Sequence, residues 1–359
     1  MRTTQRVRRA SMATVAALVI GGSGVAVGTA IAEPAAPATT AAAAARTTPA
    51  ATYPDPASYA GIVSKVLPSV VLIRTADGLG SGVVLDTKGN IVTNAHVAGD
   101  AEDFQVQLAG NTSPRSATLV GTYPADDLAV IRVDNASGLK PATFGDSDQA
   151  RAGDVVLAIG NPLGLSGSVT QGIVSATDRA VTEPATDGAA AATLPGAIQT
   201  SAPINPGNSG GALVSASGQV IGIPTLAAGS AQGGGQAQGI GFAIPSNLAR
   251  DIATQLIDTG HVTNSHRAAI GAEVSTVLGA DGSPGGVGVV TVTDGGAADR
   301  AGLRPGDVIT AAGNQETPDT TALSQVLAAA SPRDKVALTV SRDGGERTVQ
   351  VTLGEFPGS

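Results

Sequence analysis

Three residues far apart in the chain carry the side chains that acyl transfer requires. Ser209 sits in "INPGNSGG" (204–211), His96 in "TNAHV" (93–97) and Asp127 at the head of "DLAVIRV" (127–133). A serine hydroxyl is a poor nucleophile near neutral pH and needs an adjacent base. An imidazole can take its proton, and a buried carboxylate then fixes the imidazole tautomer and stabilises the imidazolium. Each residue alone has a plainer reading. A histidine at a strand end is commonly structural, an aspartate before a strand is commonly a turn residue, and Gly/Asn-rich segments make turns. The chemistry lies in the combination. Only three histidines exist, His96, His261 and His266, and there is no cysteine, which excludes disulfides, thiolate metal sites and cysteine nucleophiles.

The glycines around Ser209 have a purpose in the same chemistry. A tetrahedral intermediate carries an oxyanion, which backbone N–H groups must meet unhindered. The turn Gly207-Asn208-Ser209 is the expected oxyanion hole, with Gly207 and Ser209 as its natural donors, because a glycine at 207 permits the needed torsion and leaves room for substrate. A rival reading exists. "GNSGG" also fits G-x-S-x-G, the strand-to-helix nucleophile elbow, with Asp251 or Asp258 and then His261 in the required order. However, "ALVSASGQVIGI" (212–223) reads as two strands around Ser217-Gly218, and no run of βαβ units surrounds it.

The elements that must position these residues are mostly strands. Short apolar or alternating runs ("SVVLIRT", "SGVVLD", "NIVTNAHV", "DLAVIRVD", "DVVLAIG", "GIGFAI") are separated by Gly, Asp, Asn and Pro turns, which predicts a mainly β barrel or sandwich over residues 57–265. A helix is expected at its start (57–69), and another, "PSNLARDIATQLIDTG" (245–260), closes it. In the latter Ser246 can cap, Leu248, Ile252 and Leu256 line one face, and Gly260 ends the helix. A smaller α+β unit follows over 266–356, with a hairpin around Asp343-Gly344-Gly345 and a helix over 317–331 opened by Asp319 or Thr320. Four arginines (Arg2, Arg6, Arg8, Arg9), an uncharged run and "AIA" (30–32) mark residues 1–32 as a signal peptide or membrane anchor. Twenty-odd helical residues would cross a ~30 Å hydrocarbon core. The glycines at 21–28 weaken such a span and favour cleavage. Either outcome places the remainder outside the cytoplasm. Residues 33–56, rich in Ala, Pro and Thr, read as a disordered stalk. The net charge of −8 argues against a nucleic-acid partner. Three tyrosines, four phenylalanines and no tryptophan leave the core to aliphatic residues.

Several ordered blocks together resemble the HtrA/DegP family of trypsin-like serine proteases with a C-terminal PDZ domain. They are "GSGVVLDTKGNIVTNAHV" (80–97), "DDLAVIRV" (126–133), "AGDVVLAIGNPLGLSGSVTQGIVSATDR" (152–179), "IQTSAPINPGNSGGAL" (198–213), "GIGFAIPSN" (239–247) and, for the PDZ unit, "AGLRPGDVI" (301–309). The resemblance spans roughly residues 57 to 355. It implies two six-stranded barrels with the active site between them, His96 and Asp127 coming from the first and Ser209 from the second. It also implies an endopeptidase acting on unfolded or damaged proteins, a PDZ domain binding peptide C-termini, and no cofactor or metal. The alternative is a chaperone-like or scaffold protein with a silent protease domain, against which the intact triad argues.

Departures from the family pattern are specific. Ser201 stands where aspartate is usual, and Pro224 where asparagine is usual. The family's regulatory loops fall at 182–195 and in the glycine-rich 229–238. Asn208 replaces the acidic residue that pairs with a new N-terminus in digestive relatives, so activation by zymogen cleavage is not expected. Pro203 replaces the trypsin-type aspartate, so Lys/Arg specificity is not expected; Ile204, Ala228 and Ile240 are the candidates for an apolar pocket taking small aliphatic residues. In the PDZ unit the carboxylate-binding loop resembles "AAIGAEV" (268–274), with Ile270, Gly271 and Ala272 offering N–H groups; Ala269 stands where an aromatic is common, which implies modest affinity. Relatives are usually trimers held by aromatics near the protease N-terminus, where this chain has Tyr53 and Tyr59. His261 and His266 are expected at the solvent-exposed connection between the units.

Overall fold

The computed structural model describes residues 56–357, apart from 77, 112, 163–166, 184–191, 206, 230–235 and 280–281. The expected signal segment and stalk lie outside the described residues. Among the described residues no helix is long and apolar enough to cross a membrane.

Helix α1 (Pro56–Val66) opens on a proline, whose missing N–H is no loss in a first turn, and a 3₁₀ turn at Leu67–Ser69 follows. Strands β1 (Val70–Arg74), β2 (Leu79–Val84) and β3 (Asn90–Thr93) lead to a one-turn helix, α2 (Ala95–Ala98). Then come β4 (Asp103–Leu108), β5 (Arg115–Tyr123) and β6 (Leu128–Val133), and these six strands close a barrel in the order β1-β2-β3-β6-β5-β4. Strands β7 (Val155–Gly160), β8 (Ser168–Glu183), β9 (Ala192–Thr200), β10 (Ala212–Ser215), β11 (Val220–Gly229) and β12 (Gln236–Pro245) close a second, in the order β10-β11-β12-β9-β8-β7.

The period of two in these strands serves two cores at once. Val71, Ile73, Ile91, Ala129 and Ile131 point into the first barrel, with Phe104 among them. Their neighbours Val70, Val92, Leu128 and Val130 point the other way, into a seam between the barrels. The second barrel repeats this. Val156, Ala158, Leu213 and Ala243 fill its interior, while Leu157, Ile159, Val214 and Ile244 join the seam. Helix α3 (Ser246–Thr259) adds Ile252 and Leu256 to the same seam and stops at Gly260, which takes a left-handed φ of 77° and donates its N–H to Leu256 O. Ser246 does not cap this helix; it is the first helical residue, and its hydroxyl donates to Gly145 O at 2.9 Å. Two segments read as loops are partly strand: β8 and β9 pair as far as Glu183 and Ala192, and β11 and β12 as far as Gly229 and Gln236.

The C-terminal unit comprises β13 (Ala268–Ala269), β14 (Ala272–Leu278), β15 (Pro284–Val292), α4 (Ala297–Ala301), β16 (Val308–Ala312), β17 (Gln315–Glu316), α5 (Thr320–Ala328), β18 (Lys335–Arg342), β19 (Gly345–Thr352) and β20 (Gly354–Glu355). Its main sheet runs β14-β15-β16-β18-β19, leaving β14 at an edge. Asp319 caps α5 by accepting from Ala322 N at 2.8 Å. The hairpin turn is Asp343-Gly344, both residues at positive φ, as a two-residue primed turn requires. Arg342 holds the buried Asp307 with two charge-assisted bonds of 2.5 and 2.6 Å, and those bonds lower the Asp307 pKa.

The two units meet at Arg267. Its Nη1 donates to Ala125 O at 2.5 Å and to Asp126 Oδ1 at 3.1 Å, and its guanidinium lies 5.0 Å from the centre of the Phe356 ring. Asp126 is fully buried, and among the described residues its Oδ2 has no hydrogen-bond partner. Burial pushes its pKa from 3.8 to about 6, and Arg267 offsets only part of that rise. The native state therefore holds a proton that the unfolded chain releases near pH 4, so stability falls as pH climbs from about 4 to about 6. The full cost, of order 3 kcal/mol at ~1.4 kcal/mol per pH unit, is present above that window. Asp126→Asn is expected to flatten the urea-midpoint profile between pH 4 and 6; an unchanged slope would assign the pH dependence elsewhere.

Candidate active site

Asp127 follows a 3₁₀ turn (Pro124–Asp126) and has φ 51° and ψ 44°, a left-handed conformation that aspartate tolerates better than most residues. This kink turns its carboxylate back towards α2. There His96 donates its backbone N–H to Oδ1 at 3.0 Å, and its ring Nδ1 lies 3.0 and 2.9 Å from Oδ1 and Oδ2. Asn94, at the end of β3, pins the same segment by donating Nδ2 to Asp127 O at 3.1 Å. The carboxylate is buried, while the imidazole is about a quarter exposed. An imidazole whose Nδ1 proton faces a carboxylate presents Nε2 as its acceptor in the neutral form.

The second barrel reaches this carboxylate through Thr225 on β11. Its hydroxyl donates a short hydrogen bond to Asp127 Oδ2, and its carbonyl accepts from Ser209 Oγ at 3.0 Å. One residue thus touches both the carboxylate and the serine. The resting Ser209 proton lies towards a carbonyl, and transfer to an imidazole requires the O–H to swing away from it.

The turn bearing Ser209 depends on its glycines. Gly207 has φ 105°, and a Cβ there would come within 2.4 Å of Pro162 Cβ. Gly210 has φ 77°, and a Cβ would lie 2.2 Å from Ser81 O and 2.4 Å from Thr93 Oγ1. No L side chain fits either position. The three expected N–H donors are not equivalent. Asn208 N is committed to Asn205 O at 3.0 Å, whereas among the described residues no partner takes the N–H of Gly207 or Ser209. The Asn208 side chain is buried and donates to Pro203 O at 3.3 Å.

The other expected site residues lie in different surroundings. Ile204 is buried in the core of the second barrel, against Gly241, while Ile240 is 37 % exposed; the Ala228 side chain lies outside the described residues. The nucleophile-elbow rival does not form: strand β10 follows the serine turn, His261 Nδ1 faces Thr259 O, and Asp251 pairs with His266 Nε2 at 3.1 Å. In the C-terminal unit Ile270, Gly271 and Ala272 line a groove of about 370 Å³ between β14 and α5. Gly271 has φ 70°, and its carbonyl accepts from Thr293 N at 3.0 Å. Phe356 and Arg267 line the same groove, so a ring from the chain's far end stands near the position where Ala269 offers none. Pro195, from β9 of the second barrel, completes the wall. Thr225, Asn94 and Phe356 escape the sequence reading, since each reaches its place through contacts distant along the chain.

Comparison with known proteins agrees with this geometry. The pattern for a trypsin-like peptidase domain matches residues 80–223, and that for a PDZ domain matches residues 263–353. Serine protease PepD of Mycobacterium tuberculosis is 41 % identical over 326 residues, covering 86 % of this chain and 68 % of the relative. Serine endoprotease DegS of Salmonella typhimurium is 36 % identical, covering 85 % and 88 %. The periplasmic pH-dependent serine endoprotease DegQ of Escherichia coli is also 36 % identical, covering 82 % and 70 %. Among solved structures, the HtrA-type protease AlgW with a decapeptide superimposes with a TM-score of 0.55 at 35 % identity, covering 83 % of this chain and 99 % of that one. These relatives are named as proteases, and nothing in them supports a silent scaffold. The chain belongs to the HtrA family of trypsin-like serine proteases that carry a PDZ domain.

Proposed function

We propose that this serine endopeptidase cleaves unfolded or damaged proteins outside the cytoplasm, with Ser209 as nucleophile, His96 as general base and Asp127 as the carboxylate that orients the base. The observation carrying this reading is the convergence on Asp127: His96 Nδ1 at 2.9 Å from one side, and from the other Thr225, whose carbonyl holds Ser209 Oγ. Ser209 Oγ attacks the scissile carbonyl carbon while His96 Nε2 takes its proton. The oxyanion forms against the N–H groups of Gly207 and Ser209. His96 then gives the proton to the departing amine, and water repeats the sequence on the acyl-enzyme. A PDZ groove bordered by an edge strand suits an extended peptide C-terminus held by the N–H groups of Ile270, Gly271 and Ala272.

We read the protease unit as 57–265 and the PDZ unit as 266–356, in keeping with the two matched family patterns. The basic and apolar residues 1–32 support export by a signal peptide or retention by an anchor, with 33–56 as a stalk, and DegQ is described as periplasmic. A homotrimer and a role in protein quality control under stress complete the proposal. Asn208, held by Pro203 O, favours activity without zymogen cleavage.

Ser209→Ala is expected to abolish casein degradation while leaving binding of peptides by the PDZ domain intact; equal degradation by both proteins would refute the assigned nucleophile. Thr225→Val strips Asp127 of a donor worth roughly 1.5–3 kcal/mol to a charged group, so kcat should fall about 10- to 100-fold in steady-state assays. A peptide-library profile should show cleavage after Val or Ala, and dominance of Lys or Arg would reject the apolar pocket.

A further inference from the structure

Ser81, on β2 of the first barrel, is fully buried and lies directly behind the serine turn of the second barrel. Its hydroxyl donates to Gly207 O at 2.6 Å and accepts from Asn161 N at 2.8 Å. Its own N–H donates to Ser209 O at 3.0 Å, and its carbonyl accepts from Thr93 Oγ1 at 2.7 Å. One residue of the first barrel thus holds two of the three carbonyls in Gly207-Asn208-Ser209. Gly211 N holds the third, Asn208 O, at 2.9 Å.

A trans peptide unit is planar, with its C=O and N–H pointing in opposite directions. Fixing a carbonyl therefore aims the amide hydrogen of the following residue. Asn208 O bound to Gly211 turns the Ser209 N–H the opposite way, towards the expected oxyanion site. Gly207 is the weak point, because glycine populates both signs of φ at little cost. Its torsions need a constraint from outside the turn, and the Ser81 hydroxyl binds the carbonyl that sets its ψ. The accepted bond from Asn161 N consumes a lone pair and orients the hydroxyl proton at Gly207 O.

We propose that Ser81 is a positioning residue for the oxyanion site: its hydroxyl holds the Gly207–Asn208 peptide, the one between the two peptides that carry the Gly207 and Ser209 N–H groups, and so limits how those two catalytic groups can turn. This rests on the assignment of Ser209 as nucleophile. The bond also makes the oxyanion site a property of both barrels, since its frame comes from β2.

Ser81→Ala removes the hydroxyl and leaves the backbone bond to Ser209 O in place. Steady-state cleavage of a fluorogenic peptide should show kcat reduced roughly 10- to 100-fold, approaching the loss of one oxyanion donor, with KM changed less than about threefold. A peptide boronate, which forms a tetrahedral adduct, should lose affinity by the same factor as kcat. Ser81→Thr, which keeps the hydroxyl, should restore most of kcat. If Ser81→Ala does not fold by circular dichroism, Ser81→Cys, of similar volume but a weak donor, replaces it with the same expected kcat loss. A folded Ala or Cys variant with wild-type kcat overturns the proposal. So does a loss confined to KM, or a kcat loss that boronate affinity does not follow. Ser209→Ala, assayed in parallel, separates the two claims: residual full activity there defeats the nucleophile assignment whatever Ser81 does.

Discussion

A carboxylate taken out of water must have its lone pairs met by donors, or it gives up its charge. Asp127 is buried and meets that condition with donors from two barrels: the His96 backbone and ring on one side, the Thr225 hydroxyl on the other. Neither barrel could satisfy it alone. The seam of Val70, Val92, Leu128, Ile159, Val214 and Ile244 is therefore more than a hydrophobic joint. It sets the distance at which Thr225 can reach the carboxylate and, through its carbonyl, the serine. A small shift between the barrels would leave a buried acceptor unpaired, which makes the relative placement of the two barrels stiff.

Asp126, one residue earlier, is met less fully by donors. It is equally buried, yet among the described residues one of its oxygens finds no donor and its ion-pair partner is the Arg267 guanidinium. Its pKa accordingly climbs to about 6. Two adjacent aspartates thus differ because the chain kinks between them. The left-handed backbone of Asp127 sends its side chain to the seam, while Asp126 points to the junction with the C-terminal unit.

What the sequence discloses follows from how local each signal is. The alternation in "DLAVIRV" is local, and the structure uses it as read, with Leu128 and Val130 on one face and Ala129 and Ile131 on the other. The Gly260 stop and the Asp343-Gly344 turn are equally local. Alternation could not separate a barrel from a sandwich, because closure depends on pairing between distant strands; the two barrels were legible only through family resemblance. A serine before an apolar run looks like a cap wherever it occurs, but the Ser246 hydroxyl goes to Gly145 O, 101 positions away. Thr225 and Ser81 leave no local mark at all. Their hydrogen bonds span 98 and 126 positions, and a Thr or Ser inside a strand is otherwise unremarkable. The resemblance places a loop at 182–195 and the glycines mark one at 229–238, yet partner strands supply ladders to Glu183 and Ala192 and to Gly229 and Gln236 that override weak propensity.

The C-terminal sheet raises a different constraint. Strand β14 is an edge, and an open edge invites pairing with any extended chain. Here the edge faces a groove walled by Leu323 and Leu327 of α5, by Phe356 from the chain's end and by Pro195 of the second barrel. Those walls exclude a flat sheet while admitting a single strand, so an aggregation hazard becomes a selective seat for a peptide. The Pro195 wall belongs to β9, whose other end pairs with β12. A strand of the catalytic barrel thus supplies part of the wall of the peptide groove.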